Sequence, residues 1–311
     1  MARYILKRFL ISIVTLLVII LVLFLMLEIM PGSPFNDEKL SEEQVAVLYQ
    51  KYSLDQPVMV RFIKYVGNVC KGDFGVSYSL SENTPISSML KRRVPVTFKI
   101  GLLSMLFGTA TGLLLGLISA FMKNKIVDFI YNILTIIGIA VPSYLIAMFL
   151  SYYFGFKIPF LALLYDIRSP MYSSVIPIIS MGFIVMAVVA RFCKAEASDV
   201  MQSDYVLFAK CQGLSSSTII VKYVLRNSLM PVITVIATLL VGVLTGSLVI
   251  EEMFSIPGIG NLLTRAIAAN DYNVVIGLSF IYSALYIIVM FILDIVYCII
   301  DPRVRLTSKE G

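Results

Sequence analysis

The chain has 311 residues, of which 59% are hydrophobic and only 14% are charged, and its mean hydropathy is +0.92. Soluble domains carry about 25% charged residues, so this composition excludes a soluble protein and indicates a polytopic membrane protein. The net charge of +6 is explained by basic residues that flank membrane spans rather than by nucleic-acid binding. The chain contains no histidine, which excludes His-based catalysis and His-ligated metals. The four widely spaced cysteines imply neither a disulfide framework nor a metal site.

Six charge-free windows are long enough to cross a hydrocarbon core of about 30 Å as helices. They predict an all-α fold with six transmembrane helices at residues 9–27, 100–122, 129–156, 169–190, 227–250 and 272–293. The segments on the side of the N-terminus hold thirteen basic residues, against three in the short loops on the other side. The positive-inside rule therefore predicts that both termini are cytoplasmic.

Residues 31–93 are predicted to form a small helical extracytoplasmic insert after the first helix. Ser41 opens a capping-box pattern for one helix, and Pro57 suits the first turn of a second helix that Gly72 ends. Arg92, Arg93 and Pro95 are expected to precede the second span. The other predicted segments are the N-terminus with the first helix at 1–30, a five-helix core at 94–300 and a cytoplasmic tail at 301–311.

The loop at residues 193–228 is too apolar to be only a solvent-exposed connection between two spans. Ser203 or Asp204 is expected to cap a short helix that Gly213 ends in a left-handed conformation. Residues 215–217 then cap a second short helix, whose apolar face holds Ile219, Ile220, Tyr223 and Val224. Two readings stay open at this point: a docking element for a soluble partner, or an amphipathic loop on the membrane surface.

Three further features lie in or beside the spans. Gly108, Gly112 and Gly116 share one helix face and predict close approach of a neighbouring helix. Pro142 is expected to break or kink the third span, either as a pore-lining feature or as a structural one. Asn261 is expected to cap a short outer helix, which either plugs a pathway or rests on the headgroups.

Taken together and in order, these stretches resemble the B-type permease subunit of peptide/nickel-class ATP-binding-cassette (ABC) importers, which have the type I importer permease fold. The residues that carry the resemblance are PGSP at 31–34, YSLDQP at 52–57, GDFG at 72–75, RRVPVT at 92–97, VPS at 141–143, DYV through GL at 204–214, LRNSLMP at 225–231, EMFSIPGIG at 252–260, DY at 271–272 and DPR at 301–303.

The resemblance implies that the 193–228 loop carries a coupling helix, which in this family fits a groove in an ATPase subunit. The family pattern is Glu-Ala-Ala-x-x-x-Gly. Gly213 occupies the glycine and Ala209 the last alanine, whereas Leu207 and Phe208 replace the first two residues. The implied coupling residues are Tyr205, Leu207, Phe208, Ala209, Gly213 and Leu214. The implied external loop or gate residues are Glu252, Phe254, Pro257, Gly258, Gly260 and Asp271.

The resemblance also implies a transport subunit rather than an enzyme, in a bacterial or archaeal cytoplasmic membrane. Its expected partners are a homologous C-type permease in a heterodimer, two ATP-binding subunits that hold ATP and Mg, an extracytoplasmic substrate-binding protein and membrane lipid. No cofactor, metal or catalytic residue is expected in this chain, which has no phosphate-binding loop. Oligopeptides or dipeptides are the expected cargo, and nickel chelates, glutathione or another small solute are the alternatives.

Two other classes fit the sequence less well. A self-sufficient secondary transporter or channel would favour two repeated halves, whereas the long insert after the first span breaks such symmetry. An intramembrane enzyme would need paired carboxylates, a serine site or a zinc site at membrane depth, and the spans predict none.

Overall fold

The structure is a computed structural model, which describes residues 2–29, 35, 42–122, 124–246 and 248–300. These residues are helical apart from turns and an isolated β-bridge between Val76 and Pro85, which confirms the all-α prediction. The helices in chain order are α1 Ala2–Ile29, α2 Glu42–Lys51, α3 Val58–Val69, α4 Ile86–Phe121, α5 Lys125–Ala140, α6 Ser143–Leu150, α7 Pro170–Ser173, α8 Val175–Met201, α9 Asp204–Cys211, α10 Ser216–Ile219, α11 Arg226–Gly246, α12 Leu248–Met253, α13 Ile259–Ala268 and α14 Tyr272–Ile300. Two π-helical segments, Ser151–Lys157 and Ile220–Leu225, continue α6 and α10.

Within the described residues, five helices are long and apolar enough to cross a membrane, or six if α5 and α6 count as one broken span. The break lies at Val141 and Pro142, whose backbones are extended, and the two helices are bent by 112°. Proline lacks an N–H donor and disfavours helical geometry at the residue before it. The sequence predicted a break or kink at Pro142, and the structure gives a sharp turn.

Several helices extend beyond the charge-free windows. The prediction that Arg92, Arg93 and Pro95 precede the second span is wrong, because all three lie inside α4. The proposed boundary at residue 93 therefore falls within a helix. A charge-free window marks only the apolar middle of a helix, since long basic side chains at its ends can reach water without ending it.

The first of two compact units comprises residues 1–97 and 257–311. Its described part has two apolar clusters. Ile20 and Phe24 of α1 pack with Tyr65 of α3 and Ile276 of α14. In the other cluster α13 buries Leu262 and Ala266 among residues of α4 and α14. The apolar face of α13 is thus covered by its own unit.

The second unit comprises residues Phe98–Ile256, and α8 packs there against α5, α6 and α11. The glycine face of α4 also lies against α8. A Cβ atom would come within 2.4 Å of the Gly182 carbonyl oxygen at Gly108, 2.7 Å of the Met186 oxygen at Gly112 and 2.6 Å of the Ala190 oxygen at Gly116. The two helix backbones therefore approach so closely that these positions have no room for a side chain.

Candidate functional site

The segment from Ser203 to Ser215, which we call the α9 turn, is built by local hydrogen bonds. Helix α9 ends in a Schellman motif: Gly213 N–H donates to the Lys210 carbonyl at 3.0 Å, and Leu214 N–H donates to the Ala209 carbonyl at 3.3 Å. Gly213 has φ of +77°, the left-handed conformation that the sequence predicted. An added Cβ at Gly213 would meet nothing within 4 Å, so the requirement for glycine there is conformational rather than steric.

The α9 turn presents apolar side chains to its outside. The exposed fractions of Tyr205, Leu207 and Phe208, which we call the α9 knob, are 42%, 59% and 64%. Beneath them, Val206 and Ala209 are buried in a cluster with Ala197, Ile219 and Val224, and Leu214 packs on its edge. The structure therefore divides the predicted coupling residues into an outward set and a supporting set. The exposed apolar groups stand on a buried, hydrogen-bonded base.

The second short helix of the predicted loop is not a separate element. Ser215 Oγ accepts from Thr218 N–H at 3.4 Å and caps α10, which continues through the π-helical segment into α11. The Nδ2 of Asn227 donates to the Tyr205 hydroxyl at 3.3 Å and so links the start of α11 to the knob. Helix α10 is therefore continuous with α11, and α9 contacts the start of α11 through Tyr205.

Sequence reasoning missed a polar cluster that joins α4, α5 and α8. Lys194 Nζ lies 2.9 Å from Asp128 Oδ1, which also accepts from Ser119 Oγ at 2.8 Å. The same ammonium lies 4.1 Å from the ring centroid of Tyr131. Asp128 and Lys194 lie close to the ends of predicted spans, and this position in the sequence was the signal that could have indicated the cluster. Because both side chains are partly exposed, we expect the ion pair to contribute at most about 1 kcal/mol.

The predicted gate residues of the second unit differ in burial. Glu252 is exposed at the end of α12, whereas Phe254 is buried. The Phe254 carbonyl accepts from Tyr165 N–H at 3.0 Å, and Ser255 has φ of +54°. This geometry makes Phe254 part of the packed interior of its unit.

Of the predicted gate residues in the first unit, Pro257 and Gly258 precede α13, and Gly260 lies in its first turn. The prediction that Asn261 caps this helix is wrong, because α13 begins at Ile259 and its N-cap residue is Gly258. Thr97 of α4 supplies the missing side-chain acceptor: its Oγ1 accepts from Ile259 N–H at 2.9 Å. The cap comes from 162 positions away in sequence, so no local pattern could reveal it.

Asp271, the last predicted gate residue, is fully buried and anchors the insert. Its Oδ2 accepts from Ser77 Oγ at 2.5 Å, from the N–H groups of Tyr78 and Leu80 at 3.0 Å and from that of Ser79 at 3.1 Å. Its Oδ1 accepts from Val274 N–H at 3.3 Å and caps α14. An aspartate directly before an apolar helix is a recognisable capping signal, whereas its four contacts with the 77–80 loop are not.

The described residues hold no group of three or more His, Cys, Asp or Glu side chains that could bind a metal ion. The polar contacts described above at the α9 turn and around Asp271 are helix caps and hydrogen bonds between segments. Such an arrangement positions helices and presents surfaces.

Comparison with known proteins matches nearly the whole chain. Residues 112–306 match the family model described as binding-protein-dependent transport system inner membrane component, and residues 1–101 match the N-terminal model of binding-protein-dependent transport system membrane components. The dipeptide transport system permease protein of Lactococcus lactis is 38% identical, with 98% of this chain and 100% of that protein covered. That of Bacillus subtilis is 38% identical over 99% of this chain and 100% of its own length. The oligopeptide transport system permease protein of Haemophilus influenzae is 33% identical, over 98% and 100% of the two chains.

A solved structure is similar in fold alone. It is a crystal structure of an amino acid ABC transporter with histidines, at 12% sequence identity and a TM-score of 0.54, and the match covers 67% of this chain and 92% of that one.

Proposed function

This chain belongs to the family of inner membrane components of binding-protein-dependent transport systems, and from that premise we propose that it is the B-type permease subunit of an ATP-driven peptide importer. The dipeptide permeases of L. lactis and B. subtilis support a peptide cargo. Their identity of 38%, against 33% for the oligopeptide permease of H. influenzae and 30% for that of Escherichia coli, favours short peptides.

The α9 knob is the observation that carries this proposal. Two large apolar side chains, Leu207 and Phe208, are more than half exposed on a turn whose base is buried and hydrogen-bonded. The exposed neighbours Asp204, Lys210 and Gln212 provide polar groups of both charge signs around them. An apolar centre with a polar rim suits a protein groove.

In the proposed importer, this chain and a homologous C-type permease form the pathway between them. Two ATPase subunits bind ATP and Mg and receive the coupling helices on the cytoplasmic side, where both termini of this chain also lie. An extracytoplasmic binding protein delivers the peptide at the insert. Closure of the ATPases on ATP moves α9, and α9 moves α11, which switches the pathway between two packed arrangements.

The test is transport by the purified complex in proteoliposomes. With ATP inside the vesicles and the binding protein outside, we expect accumulation of radiolabelled dialanine, and none without ATP or without the ATPase subunits. Uptake of glutathione or a nickel chelate in place of dialanine would overturn the peptide cargo but keep the importer. Uptake by this chain alone would overturn the importer and support a self-sufficient transporter.

A further inference from the structure

The first unit contains a cavity that none of the features above uses. Its volume is about 430 Å³, and it lies among the outer part of α1, the insert with α3, and the first turns of α14. This volume falls within the range of about 300–1,000 Å³ that is typical of small-molecule sites. All of its lining residues belong to one compact unit.

Two residues that line the cavity carry a buried donor with no acceptor among the described residues. Tyr65 is 9% exposed, and its hydroxyl makes no hydrogen bond. The guanidinium of Arg61 uses its other two nitrogens, since Nη2 lies 2.5 Å from Glu28 Oε2 and Nη1 donates to the Leu54 carbonyl at 3.2 Å. Its buried Nε has no partner. Buried polar groups are almost always paired, so two unpaired donors in one cavity indicate a missing acceptor.

The phenols of Tyr65 and Tyr78 in this cavity remain protonated at physiological pH. Burial raises the pKa of Tyr65 well above its ordinary value and, with the nearby carboxylate of Asp271 as a smaller cause, raises that of Tyr78 to about 12. Neutral phenols can donate to an anion, and Arg61 adds a permanent positive charge. This end of the cavity therefore suits a carboxylate or another oxyanion.

The rest of the lining suits the other parts of a zwitterion. Phe24 and Ile276 give the cavity an apolar wall. Glu28 and Asp73 are exposed acidic residues of the lining and can face an ammonium group. Oxyanion donors, an apolar wall and carboxylates in one space match a molecule with two opposite charges separated by an apolar body.

We propose that this cavity binds a small zwitterionic peptide, whose terminal carboxylate accepts from Tyr65 Oη and Arg61 Nε and whose terminal ammonium faces Glu28 or Asp73. The assignment to a peptide rests on the proposed function. A phosphatidylethanolamine headgroup carries the same pair of charges on a phosphate diester, and the experiment separates the two sources.

The experiment measures binding of radiolabelled dialanine by equilibrium dialysis to the complete permease–ATPase complex in phosphatidylcholine nanodiscs, without binding protein. Tyr65→Phe removes a single hydroxyl and should weaken binding at least about tenfold, the factor for one hydrogen bond to a charged group. Tyr172→Phe, which removes an exposed phenol of the other unit, should bind as the wild type does. The lost hydroxyl has no partner in the free protein, so the melting temperature of ligand-free Tyr65→Phe should equal or exceed that of the wild type.

Wild-type binding that is absent, or equal in Tyr65→Phe, would overturn the site. Tyr65-dependent binding of glycerophosphoethanolamine without binding of dialanine would overturn the peptide and assign the cavity to lipid. ATP-driven dialanine uptake by the same preparation, with binding protein added, tests the proposed function separately. Uptake without direct binding contradicts this site alone, and binding without uptake contradicts the importer alone.

Discussion

Asp271 accepts a hydrogen bond from Ser77 at 2.5 Å, although the two residues lie 194 positions apart. The same carboxylate oxygen accepts from three consecutive backbone amides of the 78–80 loop. Asn273 adds a second link, since its Nδ2 donates to the Val76 carbonyl at 2.7 Å. The side chains of Asp271 and Asn273 therefore fix residues 76–80 of the insert to the start of α14.

The substitution Asp271→Asn should release this part of the insert. An amide carries no charge and replaces one acceptor oxygen by a donor, and hydrogen bonds to a charged group contribute about 1.5–3 kcal/mol each. We expect the free energy of unfolding to fall by at least about 2 kcal/mol and trypsin to cleave the insert faster. The matched control is Asp55→Asn, an exposed residue of the same insert, which should leave both quantities unchanged. Equal behaviour of the two variants would contradict the anchoring role.

Replacement of glycine by alanine should have opposite effects on stability on the packed face of α4 and on the open surface of α3. A Cβ at Gly112 would lie 2.7 Å from the Met186 oxygen and 2.9 Å from Val189 Cβ, whereas one at Gly67 in α3 would meet nothing within 4 Å. Gly112→Ala should lower stability by about 1–3 kcal/mol through overpacking. Gly67→Ala should raise it by up to about 1 kcal/mol through helix propensity. Thermal melts of the purified chain measure both, and a higher melting temperature for Gly112→Ala would refute close packing of α4 on α8.

Local signals in the sequence predicted local geometry well. The left-handed Gly213 follows from the short apolar helix before it, and the break at Pro142 follows from its missing donor. Helix α3 follows Pro57 directly, close to the start that this proline predicted. Each of these features depends on residues within a few positions of one another.

Features that depend on distant residues were not predictable in the same way. Thr97 caps α13 and Ser77 contacts Asp271 across more than 160 positions, and neither pattern is visible in one segment. The bend between α5 and α6 is 112°, whereas the proline in the sequence predicted a break or kink without its size. The start of α4 at Ile86 was missed because basic residues end a charge-free window but not a helix.

Cysteine labelling tests the predicted orientation in the membrane. Cys70 and Cys211 are exposed, and Cys193 is buried. In a Cys298→Ser background, an impermeant maleimide should label Cys70 in intact cells and Cys211 only in inverted vesicles. Cys193 should stay unlabelled on both sides and serves as the internal control. Labelling of Cys211 from outside would reverse the orientation.

Two substitutions at Gly213 distinguish an effect of backbone strain from an effect of adding a side chain. Valine is strained in the left-handed region by about 1–2 kcal/mol, whereas asparagine visits it readily. We expect Gly213→Val to reduce peptide-stimulated ATP hydrolysis by the complex severalfold and Gly213→Asn to retain most of it. Equal loss in both variants would show that any side chain at this position is harmful, and so contradict a purely conformational role.

The most direct measurement is the amount of ATPase subunit that co-purifies in mild detergent with the affinity-tagged chain. Replacing the two most exposed knob residues, Leu207→Asp with Phe208→Asp, should remove nearly all of it, because central apolar anchors of an interface contribute at least about 2 kcal/mol each. The control Val47→Asp changes an apolar residue of the insert that is 64% exposed and should retain the wild-type amount. Full retention of the ATPase by the double variant would contradict the central claim that the α9 knob is the docking element.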